Sequence, residues 1–196
     1  MVFDFNKLGL WQLVVHLLCP VALINAMIPG VDQKTWTFEI KSLETYSADE
    51  NILQFDLSVR RVSRGVYAIS GSITLKVDFE EDHPCYIEAV ASRSSNGVSD
   101  FREIPLKMPR EHLLIAINSF YKDMLMETLR ECSNLPVFAD KFEPPLLKGV
   151  YTLEKCQFTH DGFPNHMVEG FYKIVIFGEG YVDWSITLVS QVEVSI

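Results

Sequence analysis

The sequence predicts a mainly β protein: a two-sheet sandwich or β-cup of about seven to eight antiparallel strands, with one amphipathic helix over about residues 110–131 packed against it. Stretch after stretch alternates apolar and polar residues with the period of two that marks a half-buried strand. One stretch instead repeats apolar residues at three- and four-residue spacing, the signature of an amphipathic helix. No internal repeat, low-complexity tract or interdomain linker divides the 196 residues, and a 48% hydrophobic content is enough interior for one domain.

In chain order, "TWTFEIK" sets Trp36, Phe38 and Ile40 opposite Thr37, Glu39 and Lys41. "ILQFDLSVR" places Leu53, Phe55, Leu57 and Val59 on one side, and "VYAISGSITLKVDF" aligns Tyr67, Ile69, Gly71, Ile73, Leu75, Val77 and Phe79. "CYIEAVAS" is a weaker strand signal, followed by an Asn96-Gly97 turn. A short strand over about residues 98–106 would lie at a sheet edge because Pro105 cannot donate to a ladder. The helix begins with Pro109 at a first-turn position, carries Leu113, Ile117, Phe120, Tyr121, Met124, Leu125 and Thr128 on one face, and stops at Asn134 and Pro136. "GVYTLEKCQF" and "GFYKIVIF" are further strands, and the glycines at 178 and 180 turn the second into "YVDWSITLVSQVEVSI". That last run puts Val182, Trp184, Ile186, Leu188, Val192 and Val194 on one face, interrupted by Ser190. Extended, it would reach about 50 Å, so a bend near Ser190 or a tall sheet is expected.

Residues 8–26, "LGLWQLVVHLLCPVALINA", form an apolar block that ends in Ala26 and follows Lys7. This is the pattern of a signal peptide over residues 1–26, leaving a single domain over 27–196 that is secreted and extracellular. An uncleaved signal anchor and a buried strand are the other readings. Cleavage would remove Cys19 and keep Cys85, Cys132 and Cys156, enough for one bridge and one leftover thiol. Cys132–Cys156 is the expected pair, because it ties the end of the helix to the strand that follows, worth about 3 kcal/mol by loop closure. No N-x-[ST] acceptor with a non-proline centre is present.

A formal charge of -9 argues against a nucleic-acid partner and against docking on anionic lipid by charge. The sequence has no G-x-S-x-G, H-E-x-x-H, G-x-G-x-x-G or P-loop. His160, Asp161 and His166 match no metal-ligand spacing and sit in a loop with glycine and proline. Glu80, Glu81, Asp82, His83 and Cys85 read as a charged turn at a strand end, and Cys85 as a nucleophile would need a positioned base. No catalytic residue, metal site or cofactor is expected. What remains is inward-facing apolar surface, which periodicity alone cannot divide between a packed core and a cavity wall.

From residue 144 to 177 the chain resembles the ganglioside activator protein and its lipid-recognition relatives. The matching positions are Lys148, Gly149, Tyr151 and Leu153, then Phe163 and Pro164, then Gly170, Phe171, Tyr172, Lys173 and Ile174. Over about residues 30–196 it is similar to the insect chemosensory CheB proteins, through "FYKDM" (120–124), "CSNLP" (132–136), Tyr151, Lys155, Cys156, Pro164, "GFYKI" (170–174) and Trp184.

The resemblance implies a lipid-recognition-like β-cup with an apolar cavity, in a secreted, non-enzymatic binding protein for a hydrophobic or lipid-like ligand. Its implied setting is insect chemosensation and pheromone response, with a chemosensory membrane receptor or channel as partner. The expected ligand-facing residues are Phe38, Phe55, Leu75, Trp184 and Ile186. The expected mouth loop holds Phe163, Pro164, His166 and Met167, with His166 standing where the activator has an exposed tryptophan. A lipid-transfer cofactor that presents a lipid to a partner enzyme, and an interaction module with a filled core, are the alternatives.

Overall fold

Among the residues that a computed structural model describes, 35–64, 66–158 and 164–194, eight strands form two antiparallel sheets. The expected signal segment, the loop residues His160 and Asp161, and Phe163 lie outside these residues. The strands are β1 (Trp36–Ser47), β2 (Leu53–Ser63), β3 (Val66–Leu75), β4 (Cys85–Ser94), β5 (Arg102–His112), β6 (Gly149–Cys156), β7 (Gly170–Gly180) and β8 (Trp184–Val194). The larger sheet runs β1-β8-β7-β4-β5 and the smaller one β2-β3-β6, so this is a mainly β, two-sheet fold. Between β5 and β6 lies helix α1. It consists of an α-helical turn (Leu113–Ala116), a π-helical stretch (Ile117–Leu125) and a second α-helical turn (Met126–Leu129).

The terminal run is a strand only from Trp184 to Val194, after a bend at Tyr181–Val182; there it pairs with β1 throughout and with β7 as far as Val192. Its partner β1 carries a bulge at Lys41, where the register steps from Ile40 opposite Ser190 to Ser42 opposite Val189. An extra residue reverses the alternation in the bulged strand. Trp36, Phe38 and Ile40 therefore share the inner face with Leu43, which pairs with Leu188. A second bulge in β6 sets Glu154 and Lys155 against Ser70, with Lys155 in a left-handed conformation (φ 55°). Leu153 and Cys156, three residues apart, consequently pack into the same core cluster.

The structure corrects two boundaries and gives the weak strand signal its place. Pro109 does not start the helix: β5 continues to His112 and holds both Pro105 and Pro109. It is the edge strand of its sheet, where missing N–H donors cost least. The weak "CYIEAVAS" signal belongs to an interior strand, β4, hydrogen-bonded to β5 on one edge and β7 on the other. Its residues are buried or half-buried throughout, and a strand without an exposed face loses its clean alternation. The third strand ends at Leu75 and not at Phe79, which instead exchanges backbone hydrogen bonds with Leu146 at 2.9 Å each way.

Candidate functional site

Helix α1 leaves the edge strand through His112. Its Nδ1 accepts from the Leu114 N–H at 3.3 Å, capping the first turn, so Nε2 carries the proton and donates to the His83 carbonyl at 3.2 Å. Asn118 ties the helix to the following segment, donating to the Leu114 carbonyl at 2.8 Å and accepting from the Phe142 N–H at 2.7 Å. The π-helical stretch, with the Met126 N–H on the Tyr121 carbonyl, widens the helix where it faces the sheets.

All seven residues of the apolar helix face, from Leu113 to Thr128, line one cavity of about 420 Å³. Its other walls are the inner faces of both sheets. Leu57, Ile69, Ile73 and Leu153 come from the smaller sheet, and Leu43, Ile174, Ile176, Ile186 and Leu188 from the larger. These residues meet in register: Ile174 pairs with Leu188, Ile176 with Ile186, and Leu43 with Leu188. In a filled sandwich such positions would be buried. Here Leu57, Ile73, Ile174, Ile176, Ile186 and Leu188 all stay partly accessible while facing inward, because the surface that they expose is the cavity wall.

The five residues expected to face a ligand divide into two groups. Phe38, Trp184 and Ile186 line the cavity. Phe55 and Leu75 do not: they pack with Leu53, Phe79, Cys85 and Val182 in a cluster beyond it. The Phe55 and Trp184 rings, 5.9 Å apart, mark the boundary between cluster and cavity. Trp184 lies over Gly178, its cross-strand partner, where an added Cβ would come within 2.0 Å of the indole nitrogen.

The opposite end of the cavity is formed by Trp36, Tyr172 and Val192, with Phe38 and Met167 against them. The Trp36 indole donates to the Pro164 carbonyl at 3.1 Å, and Arg93 donates to the Glu169 carbonyl, so two side chains hold the 164–169 segment there. Met167 points into the cavity, whereas Pro164 and His166 are exposed and Val168 is 63% exposed. The ligand-facing residues expected from the sequence include none from the helix face. Its signal was present in the three- and four-residue spacing, but that spacing equally fits a helix lying on a filled core.

Cys132 and Cys156 form a disulfide, with their Cα atoms 5.3 Å apart, that joins the segment after α1 to the end of β6. Cys85 is a free, buried thiol whose pKa burial pushes up to about 11, which keeps it protonated at neutral pH. Burial likewise raises the Tyr121 phenol to about 12, and its hydroxyl donates to the Pro136 carbonyl at 2.8 Å. Among the described residues no group of three or more His, Cys, Asp or Glu could hold a metal ion, and no helix is long and apolar enough to cross a membrane.

A family model described as a protein of unknown function (DUF1091) matches residues 99–174. The matched stretch takes in β5, α1, both disulfide cysteines, β6 and the start of β7. No curated protein matches the chain.

Proposed function

We propose that this protein is a binding protein, not an enzyme, that takes a hydrophobic or lipid-like small molecule into the cavity between its sheets and its helix. One observation carries the reading: inward residues of both sheets and of α1 surround about 420 Å³ of space with side chains that are almost all apolar. That volume falls within the range of about 300–1,000 Å³ typical of small-molecule sites. An apolar wall gives up water readily to an apolar guest, because both surfaces leave contact with solvent. The resemblance to the insect chemosensory CheB proteins gives the setting: a secreted protein of pheromone response that hands its ligand to, or modulates, a membrane receptor or channel.

The test is titration with a neutral apolar dye, N-phenylnaphthylamine, whose fluorescence rises in a dry pocket. The parent protein is expected to give saturable enhancement. Leu188→Trp, which projects a larger ring into the cavity, is expected to abolish it while keeping a cooperative unfolding transition. A parent that leaves the dye in water contradicts the proposal.

A further inference from the structure

Resting on the reading that the cavity holds a ligand, we propose that this ligand is an uncharged long-chain molecule with one neutral oxygen group, an alcohol or an ester, hydrogen-bonded to Ser190 Oγ. The wall itself sets the charge. Among the described residues, no Asp, Glu, Lys, Arg or His lines the cavity. An ionised group drawn inside would lose its hydration and meet no counter-charge, which is the costliest form of burial.

The polar atoms on the wall set the rest. Two of its hydroxyls are already engaged: Tyr121 donates to the Pro136 carbonyl at 2.8 Å and Tyr172 to the Val168 carbonyl at 2.7 Å. Thr128 lies half-buried on the helix. Ser190 is different. It interrupts an otherwise apolar inner face, it is only 7% exposed, and it sits between Ile40 and Tyr172 on the neighbouring strands. Its Oγ makes no hydrogen bond among the described residues and is not one of their fully enclosed polar atoms, so it opens onto the cavity. Open to the cavity, that hydroxyl sets a polar point in an apolar wall, whereas valine at this position would fit a strand interior well. A guest oxygen of either kind would supply the partner, since a serine hydroxyl both donates and accepts.

The experiment is displacement of N-phenylnaphthylamine at about pH 8 by chains of matched length: tetradecanol, methyl tetradecanoate, tetradecane and tetradecanoate. The alcohol and the ester are expected to bind about tenfold or more tighter than the carboxylate. Ser190→Ala is expected to lower alcohol and ester affinity about five- to tenfold, to the level of the alkane, and to leave the alkane unchanged. Ser190→Cys, nearly the same size but a weak donor, gives the same loss and serves if the alanine variant does not fold. Carboxylate binding equal to or tighter than the alcohol overturns the inference. So does a Ser190→Ala protein with an unchanged alcohol-to-alkane ratio, and in both cases dye binding by the parent leaves the cavity reading intact. A parent that binds neither dye nor any chain overturns both together.

Discussion

Gly178 and Trp184 show how single side chains set the cavity's boundary. The indole rests where a Cβ on residue 178 would stand 2.0 Å from its nitrogen, so any larger residue must push it towards Phe55 or into the cavity. Gly178→Ala is expected to destabilise the fold by about 1–3 kcal/mol, the usual cost of overpacking, and to weaken dye binding in the same variant. Denaturation midpoints and dye titration check this, and an unchanged midpoint contradicts it. Cys85 and Tyr121 make a second prediction. Burial raises both groups, to about 11 from 9.0 and to about 12 from 10.0, so the folded protein holds protons that the unfolded chain releases. Their contribution is fully present below about pH 9 and is lost as pH rises through the folded values. Stability measured by urea unfolding is therefore expected to fall from about pH 9 upward. Cys85→Ala is expected to flatten the first part of that fall, and a parent profile flat to about pH 11 contradicts the assignment.

At the level of strands and helices, what the sequence disclosed and what it hid have a common cause. Periodicity reports where a regular element points, so Trp36, Phe38 and Ile40, or Ile186 and Leu188, could be placed on one face from their spacing alone. It fails wherever an extra residue resets the alternation. Nothing in "EIKSLE" announces the bulge at Lys41 that turns Leu43 inward, and nothing in "TLEKC" announces the left-handed Lys155 that brings Cys156 to Cys132. The helix start was misread for a related reason. Proline suits a first helical turn and an edge strand equally well, and only the pairing of β5 with β4 decides for the strand at Pro109. Phe55 and Leu75 point inward as expected, yet how far along the sheet the cavity reaches is a property of three packed elements and of no one strand. The disulfide closes the segment between α1 and β6, across a separation of 24 residues. Cys156→Ser is expected to cost about 2–5 kcal/mol, read as a lower denaturation midpoint, and a loss below about 1 kcal/mol contradicts a structural role for the bridge.

In the molecule as a whole, hydrophobic residues do two jobs that the composition cannot separate. One set, with Leu53, Leu75, Phe79 and Val182, is packed side chain on side chain; the other, with Ile174, Ile186 and Leu188, stands around open space. Truncation distinguishes them. A packed side chain loses its transfer energy and leaves a void, whereas a wall residue has fewer partners to lose and enlarges a space that already exists. The decisive measurement pairs Phe55→Ala with Ile186→Ala, recording for each the denaturation midpoint and the affinity for N-phenylnaphthylamine. Phe55→Ala is expected to lower stability by about 3 kcal/mol and to retain dye binding, while Ile186→Ala is expected to lower stability by less than about 2 kcal/mol and to shift dye affinity severalfold. Equal, large losses of stability in both variants, with no dye bound by the parent, would mean that the two sheets and the helix enclose a filled core.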